Sequence, residues 1–194
     1  ESELVAMCDV RPQSEVQLDP SIPLYPSLEA MLEAHPDLDV INVCTPNGLH
    51  GEHTLKALEA RKHVVIEKPM ALTVAECEKI IFKALQVSRQ VFCVMQNRYS
   101  PPSVWIKELV EAGTLGRIFM VLLNCYWNRD NRYYTGKNWK GTPDLDGGTL
   151  FTQFSHFIDI MYWLFGDITE IQARFDDFTH ENLTAFEDSG LVNF

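Results

Sequence analysis

Short apolar runs alternate with longer amphipathic stretches through the first half of the chain. Short apolar runs bounded by turn residues are typical of buried strands, and apolar residues at helical spacing indicate amphipathic helices. We predict strands over 4–8, 39–44, 63–66 and 91–95 and helices over 27–34, 49–61 and 73–88. Strands and helices in this alternating order predict a parallel sheet with helices packed on it.

The pattern changes after Gln96. Two prolines at 101–102 introduce a helix that we expect to end near Gly113. We then predict a long strand over 118–127, a strongly apolar helix over 149–165 and a further strand over 168–178. Residues 128–148 lack periodicity, and we predict that they form a functional loop.

The change of pattern predicts two domains, over residues 1–97 and 98–194. The chain enters a strand almost directly after Glu1, and a new apolar alternation begins in 191–194. We therefore expect both domains to be incomplete. The segment 10–21 is short and bounded by prolines, so no helix is expected there.

Composition and charge narrow the function classes. The net charge of −11 argues against a nucleic-acid partner, because phosphate binding needs a basic surface. No apolar run reaches the roughly 18 to 20 residues of a membrane span, and no charged leader precedes an apolar core. The five cysteines are scattered, so neither a disulfide framework nor a metal site is expected. We expect a globular, cytoplasmic protein that binds small molecules.

The predicted strand over 63–66 runs directly into Glu67, Lys68 and Pro69. Open α/β sheets bind ligands at the carboxyl ends of their parallel strands. A lysine close to an acid and a ligand can have its pKa tuned so that it exchanges a proton with a substrate hydroxyl. The alternative is an exposed lysine that merely ends a strand.

Two further strand ends carry polar residues. In the segment 43–50, Thr45, Pro46 and Asn47 directly follow the predicted strand over 39–44. Asp9 directly follows the predicted strand over 4–8. An acidic side chain at that place can accept hydrogen bonds from an adenosine ribose. An ordinary turn would explain either feature taken alone.

The late apolar helix carries a polar stripe. Thr152, His156 and Asp159 fall at i, i+4 and i+7 and share one face with Trp163. A core histidine bonded to Asp159 would explain the stripe. A histidine that gives or takes a proton in a cleft would explain it as well.

Three motifs follow one another along the chain, at 43–50, at 65–73, and at 146–150 leading into 156–159. Together they resemble the Gfo/Idh/MocA oxidoreductase family, which includes glucose-fructose oxidoreductase and inositol dehydrogenases. The Glu-Lys-Pro tripeptide is the most specific element. The resemblance implies an α/β fold: a Rossmann domain that binds NAD or NADP, then an α/β domain with a mostly antiparallel sheet. The first domain would lack its first strand and glycine loop, and the second its C-terminal part.

The resemblance also implies roles for single residues. Lys68 matches the catalytic lysine, His156 matches the histidine that assists proton transfer, and Pro69 would follow a cis bond. The implied cofactor-binding residues are Asp9, Arg11, Thr45, Pro46, Asn47, His50, Glu67, Lys68, Pro69 and Gln96. The implied substrate-binding residues are Lys68, Asn97, Arg98, Trp139, Thr152, Gln153 and His156. No metal is implied.

The chain departs from the family pattern in three respects, one being the short segment 10–21, which cannot hold the helix usual between the second and third strands. No Gly-x-Gly-x-x-Gly motif occurs, so no residue is assigned to the pyrophosphate. Thr152 stands where many relatives have Asp or Asn, and its hydroxyl is no base near neutral pH. Asp9 favours NAD, whereas Arg11 nearby could receive the 2′-phosphate of NADP.

Within the family, the segments 97–98, 133–134, 139–142 and 152–156 most resemble enzymes that oxidise C3 of a UDP-linked N-acetylated hexuronic acid. Nearby basic residues suit a phosphate or carboxylate, namely Arg98, Arg129, Arg132 and Lys140. The alternatives are a non-catalytic member that senses a ligand or serves assembly, and a different NAD enzyme with a lysine base. We also expect a homo-oligomer, a dimer or tetramer, because the aromatic residues of the second domain need cover.

Overall fold

The computed structural model describes residues 2–17, 19–136 and 139–194. The strands are β1 Met7–Cys8, β2 Leu24–Tyr25, β3 Val40–Val43, β4 His63–Ile66, β5 Val91–Cys93, β6 Gln172–Asp176 and β7 Ser189–Asn193. The α-helices are α1 Leu28–Ala34, α2 His50–Glu59, α3 Val74–Val87, α4 Pro101–Glu111, α5 Asn131–Tyr134 and α6 Ser155–Phe165. Among the described residues, no helix combines the length and apolar character needed to cross a membrane.

Strands β3, β4 and β5 form a parallel sheet with β4 in the centre. Val43 pairs with Ile66, and Ile66 pairs with Cys93, so the carboxyl ends of the three strands lie side by side. Strands β1 and β2 pair in parallel as a separate two-stranded sheet. Residues that follow β3, β4 and β5 therefore converge at one sheet edge, which is where such sheets bind ligands.

The apolar core lies between the three-stranded sheet and helices α2 and α3. Its fully buried members are Ala57, Leu58, Val64, Ile66 and Ile80. Side-chain caps begin helices α1 and α3, since the hydroxyls of Ser27 and Thr73 accept hydrogen bonds from backbone amides three residues on. The strand over 63–66 is confirmed in its full extent.

The second half contains an antiparallel pair, β6 and β7, which confirms the antiparallel sheet that the resemblance implies. The predicted apolar helix is present as α6, preceded by a π-helical segment over Leu150–Phe154. The predicted functional loop over 128–148 contains the short helix α5, and residues 137 and 138 of that loop lie outside the described residues.

Three element predictions need correction. The strand predicted over 118–127 is wrong, because a strand needs a hydrogen-bonded partner and no described strand pairs with this segment. The strand predicted over 4–8 is reduced to β1, and the one over 168–178 is reduced to β6. The described part of 10–21 contains one short 3-10 turn over Gln13–Glu15, in line with the expected lack of a helix.

Candidate active site

Lys68 follows β4 and is partly buried at the carboxyl edge of the parallel sheet. Its Nζ donates a hydrogen bond to the backbone carbonyl oxygen of Thr152. Burial lowers the pKa of the Lys68 ammonium, while the negative charges of Glu67 and Asp146 act in the opposite direction. The Lys68–Pro69 peptide bond is cis, as predicted. The alternative of a fully exposed lysine is therefore excluded. The side chain of Lys68 reaches the π-helical segment that precedes α6.

His156 is buried on α6, and its Nδ1 has no hydrogen-bond partner among the described residues. Burial lowers the pKa of His156, and the positive charge of Lys68 lowers it further. The interpretation as a histidine bonded to Asp159 is wrong, because that carboxylate instead binds Arg98 through contacts of 2.8 and 2.5 Å. A buried polar atom without a partner is uncommon and requires an explanation. The lowered pKa favours the neutral imidazole, and its buried Nδ1 is unpaired among the described residues.

The remaining residues predicted to bind substrate are only partly free to do so. The hydroxyl of Thr152 donates to the carbonyl oxygen of Gly148 at 3.1 Å. The side-chain oxygen of Gln153 accepts a hydrogen bond from Arg129 at 3.0 Å. The other three are partly buried, namely Asn97, Arg98 and Trp139. Their contacts with a substrate stay predictions.

His50 joins the two loops that were predicted to hold the cofactor. Its ring is 1% exposed, with Nδ1 lying 2.6 Å from the carbonyl oxygen of Pro69 and Nε2 lying 2.7 Å from that of Thr45. Both nitrogens therefore face carbonyl oxygens of the protein. His50 holds the loops after β3 and β4 together, and its direct contact with a cofactor stays a prediction.

Asn47 and Gly48 dock the loop before α6 onto the loop after β3. The side-chain amide of Asn47 donates to the carbonyl oxygen of Asp146 at 2.8 Å, and the amide of Gly48 donates to that of Leu145 at 3.0 Å. A Cβ atom on Gly48 would lie 1.8 Å from the carbonyl oxygen of Asp144, so the close approach requires glycine. A contact between Asn47 and a cofactor also stays a prediction.

Asp9 lies directly after β1, at the carboxyl end of that strand. Arg11 binds its carboxylate, with 2.7 Å from Nη2 to Oδ2 and 3.1 Å from Nε to Oδ1. This hydrogen bonding holds the pKa of Asp9 below its ordinary value. Gln96 begins a 3-10 turn after β5 and is exposed. These predicted cofactor residues thus lie at the ends of strands, as expected from the sequence.

Positive charge gathers around Tyr133. The guanidinium carbon of Arg129 lies 4.0 Å from the ring centroid, and Nζ of Lys140 also lies 4.0 Å from it. Cations over an aromatic face are attracted by its quadrupole. Arg132 is exposed and pairs with Asp130 at 2.6 Å. Among the described residues of this loop, Arg129 and Lys140 therefore both lie against the ring of Tyr133.

Asp146 belongs to this site although it was not predicted as a site residue. It is 2% exposed, its Oδ2 accepts a hydrogen bond from the amide of Gly141 at 2.7 Å, and burial raises its pKa. The available signal was an acidic residue directly before two glycines at the start of a helix. That pattern is also common in ordinary turns.

Two family models match the chain. One is described as an oxidoreductase family with an NAD-binding Rossmann fold and matches residues 1–95. The other is described as the GFO/IDH/MocA C-terminal domain and matches residues 104–194.

Individual relatives agree with both models. The WlbA dehydrogenase from Bordetella pertussis, solved in complex with NADH and UDP-GlcNAcA, is 32% identical, with a TM-score of 0.90 over 98% of this chain and 58% of that chain. A 1-carboxy-3-chloro-3,4-dihydroxycyclohexa-1,5-diene dehydrogenase of Comamonas testosteroni is 28% identical over 99% of this chain and 49% of its own length. The scyllo-inositol 2-dehydrogenase (NADP(+)) of Bacillus subtilis (strain 168) is 35% identical over 68% of this chain and 36% of its own length. The chain thus spans about half the length, or less, of the curated relatives it matches.

Proposed function

Because the chain belongs to the Gfo/Idh/MocA family of NAD-binding oxidoreductases, we propose that the full-length protein transfers a hydride between a sugar or cyclitol carbon and nicotinamide. The observation that carries this proposal is the partly buried Lys68, whose ammonium contacts Thr152 one helical turn before the unpartnered nitrogen of His156. Catalysis of this kind needs a group that exchanges a proton with the reacting hydroxyl.

Lys68 and His156 have different roles in the proton transfer. Burial lowers the pKa of Lys68, which increases the fraction of neutral amine able to accept the hydroxyl proton. The pKa of His156 is lowered as well, which favours the neutral imidazole, and we expect this imidazole to assist the proton transfer at Lys68. The nicotinamide, when bound, supplies the redox chemistry by accepting the hydride.

Residues of this chain suit both riboses of a dinucleotide, the adenosine ribose and the nicotinamide ribose. Asp9 offers a carboxylate at a strand end, which is where an adenosine ribose is bound in such sheets. Polar groups of the loops after β3 and β4 lie side by side at the same edge. We propose NAD as the cofactor, with NADP as the alternative because Arg11 lies on the same carboxylate.

For the substrate we propose a UDP-linked N-acetylated hexuronic acid that is oxidised at its C3 hydroxyl. Such a molecule carries a diphosphate and a carboxylate, and guanidinium and ammonium groups bind both. Arg129 and Lys140 supply positive charge beside Tyr133 in a chain whose net charge is −11. The similarity to WlbA supports this choice.

We further propose that the full-length protein is a cytoplasmic homo-oligomer. The cysteines are all free, which suits a reducing compartment. The segment 118–127 exposes large apolar side chains, including Phe119, Met120 and Leu122, and a second copy would cover them. Sedimentation of the full-length protein as a monomer at all concentrations would contradict the oligomer.

The test is nicotinamide reduction by the full-length protein, followed by absorbance, with four substrates. UDP-N-acetylglucosaminuronate, UDP-N-acetylglucosamine, glucose and myo-inositol separate the substrate classes. We expect turnover with the first and less with UDP-N-acetylglucosamine, which lacks the carboxylate. Binding of NADH without turnover on any of the four would contradict the proposal and favour the alternative of a non-catalytic, ligand-sensing or assembly protein.

A further inference from the structure

Asp146 is held in place from three directions. Its Oδ2 accepts a hydrogen bond from the amide of Gly141 at 2.7 Å, and its own amide donates to the carbonyl oxygen of Thr142 at 2.9 Å. Its carbonyl oxygen accepts the 2.8 Å hydrogen bond from Asn47. The backbone therefore fixes the position of a carboxyl group that is almost fully buried.

The second carboxyl oxygen of Asp146 has no assigned partner. Oδ1 is buried and has no hydrogen bond of normal geometry with a described residue, although the backbone of Gly148 also acts on this carboxyl and lowers its pKa. The charged and titratable groups whose charges act on this carboxyl, or on which it acts, are Lys68, Arg129, Lys140, Tyr133 and Tyr134. A buried carboxyl with one free oxygen is costly, and such a group in a native protein calls for an explanation.

A chain of hydrogen bonds connects Asp146 to the lysine. Gly148, two residues after Asp146, accepts hydrogen bonds from the amide and the hydroxyl of Thr152, at 3.0 and 3.1 Å. The carbonyl oxygen of Thr152 in turn accepts the hydrogen bond from Lys68. A displacement of the turn at Asp146 would therefore displace the oxygen that orients the lysine.

We propose that Asp146 is a positioning residue for Lys68, which fixes the turn that supports Thr152 and supplies a buried negative charge close to the ammonium. The inference rests on the proposed function, since it takes Lys68 as the proton acceptor. The negative charge favours the protonated lysine, so Lys68 loses its proton at higher pH than it would without Asp146. The other titratable groups that act on Lys68 are Glu67 and His156.

The first test is the pH dependence of kcat/KM for the full-length protein and two variants. Asp146→Asn keeps an acceptor for the Gly141 amide and removes the charge, while Asp144→Asn removes an exposed charge from the same loop. We expect kcat/KM to rise with pH as Lys68 deprotonates. This rising limb of the pH profile should lie at a lower pH, by up to about one unit, in Asp146→Asn. Asp144→Asn leaves the limb in place. A fall in kcat with an unmoved limb in Asp146→Asn would show a merely structural role and overturn the proposal.

A second test does not depend on turnover. Carbon-13 NMR of labelled aspartate carboxyls in the full-length wild type should show a carboxyl that titrates above the ordinary value of 3.8, since burial raises the pKa of Asp146. This signal is retained in Asp144→Asn. If no aspartate carboxyl titrates above 3.8, Asp146 is not buried as the structure has it and the inference fails, whatever the enzyme assay gives. If the signal is present but no substrate turns over, it is the proposed function that fails.

Discussion

The two halves of the chain are held together by different forces. In the described structure, every buried apolar side chain belongs to residues 31–84, around the three-stranded sheet. The buried polar side chains of the second half are Asp146 and His156, and its large apolar side chains are exposed or only partly buried. The first half is therefore ordered mainly by apolar burial, and the second half mainly by hydrogen bonds and ion pairs.

This difference matters for the site, because each half supplies part of it. Lys68 follows β4, whose residues Val64 and Ile66 are packed in the apolar core. His156 and Thr152 depend on polar contacts, among them the pair of Arg98 and Asp159 and the docking of Asn47 on the loop before α6. We infer that packing of the apolar core fixes the position of Lys68. The positions of Thr152 and His156 depend on polar contacts, which a single polar substitution can weaken.

The largest expected effect comes from truncating the core. Leu58→Ala removes a fully buried side chain and should lower the free energy of unfolding by about 2 to 5 kcal/mol. Leu191→Ala in β7 removes a side chain that is 65% exposed and should cost less than about 0.5 kcal/mol. Urea denaturation of the full-length protein measures both. Equal losses would contradict the difference between the halves.

A smaller effect is expected where the two halves meet. Gly48→Ala places a Cβ atom 1.8 Å from the carbonyl oxygen of Asp144, so the docked loop must shift, at a cost of about 1 to 3 kcal/mol. The control is Gly51→Ala in α2, where the added atom would lie 3.4 Å from a side-chain oxygen of Glu76. We expect Gly48→Ala to weaken substrate turnover and the control to leave it unchanged. Equal activity in both variants would show that the docked loop does not support the site.

The smallest effect is pH-dependent and lies in the second half. His180 Nδ1 lies 2.7 Å from Oδ2 of Asp188, and Nε2 lies 2.7 Å from the carbonyl oxygen of Arg129. Burial alone would lower the pKa of His180, but the hydrogen bonds with Asp188 and Arg129, with the charge of Asp177, raise it above 6.5. The ring of Tyr134 also packs against it.

Because the folded state holds the proton more tightly, the contribution of His180 is fully present below the unfolded value of 6.5. This stabilisation is lost as the pH rises through the raised pKa of His180 in the folded state. His180→Ala should therefore cost about 1 kcal/mol in acid and less in alkali, and urea denaturation across that range measures it. A loss that is constant or grows with pH would contradict the ion pair.

Local features of the sequence predicted the first half well. The strand over 63–66 agrees with β4 in both bounds, and the predicted helices over 27–34 and 73–88 agree with α1 and α3 to within one residue at each end. Each depends on residues that are close together in the sequence. Propensity, capping and periodicity contain that information, so the edge that carries Lys68 could be predicted from the chain alone.

Contacts between distant residues were not predictable in the same way. Arg98 and Asp159 are 61 residues apart, and Asn47 and the carbonyl of Asp146 are 99 apart. Nothing in a local pattern indicates which acid an arginine will meet. The strand predicted over 118–127 failed for the same reason, since an apolar alternation predicts a suitable strand but not its partner.

Lys68 is the group on which the proposed proton exchange depends most. Its test is the rate of hydride transfer in a single turnover, with full-length Lys68→Ala beside the exposed-lysine control Lys79→Ala, both loaded with NAD and UDP-N-acetylglucosaminuronate. We predict a rate lower by about 10² to 10⁴-fold in Lys68→Ala with NADH binding retained, and a wild-type rate in the control. Hydride transfer at the wild-type rate in Lys68→Ala would contradict the account.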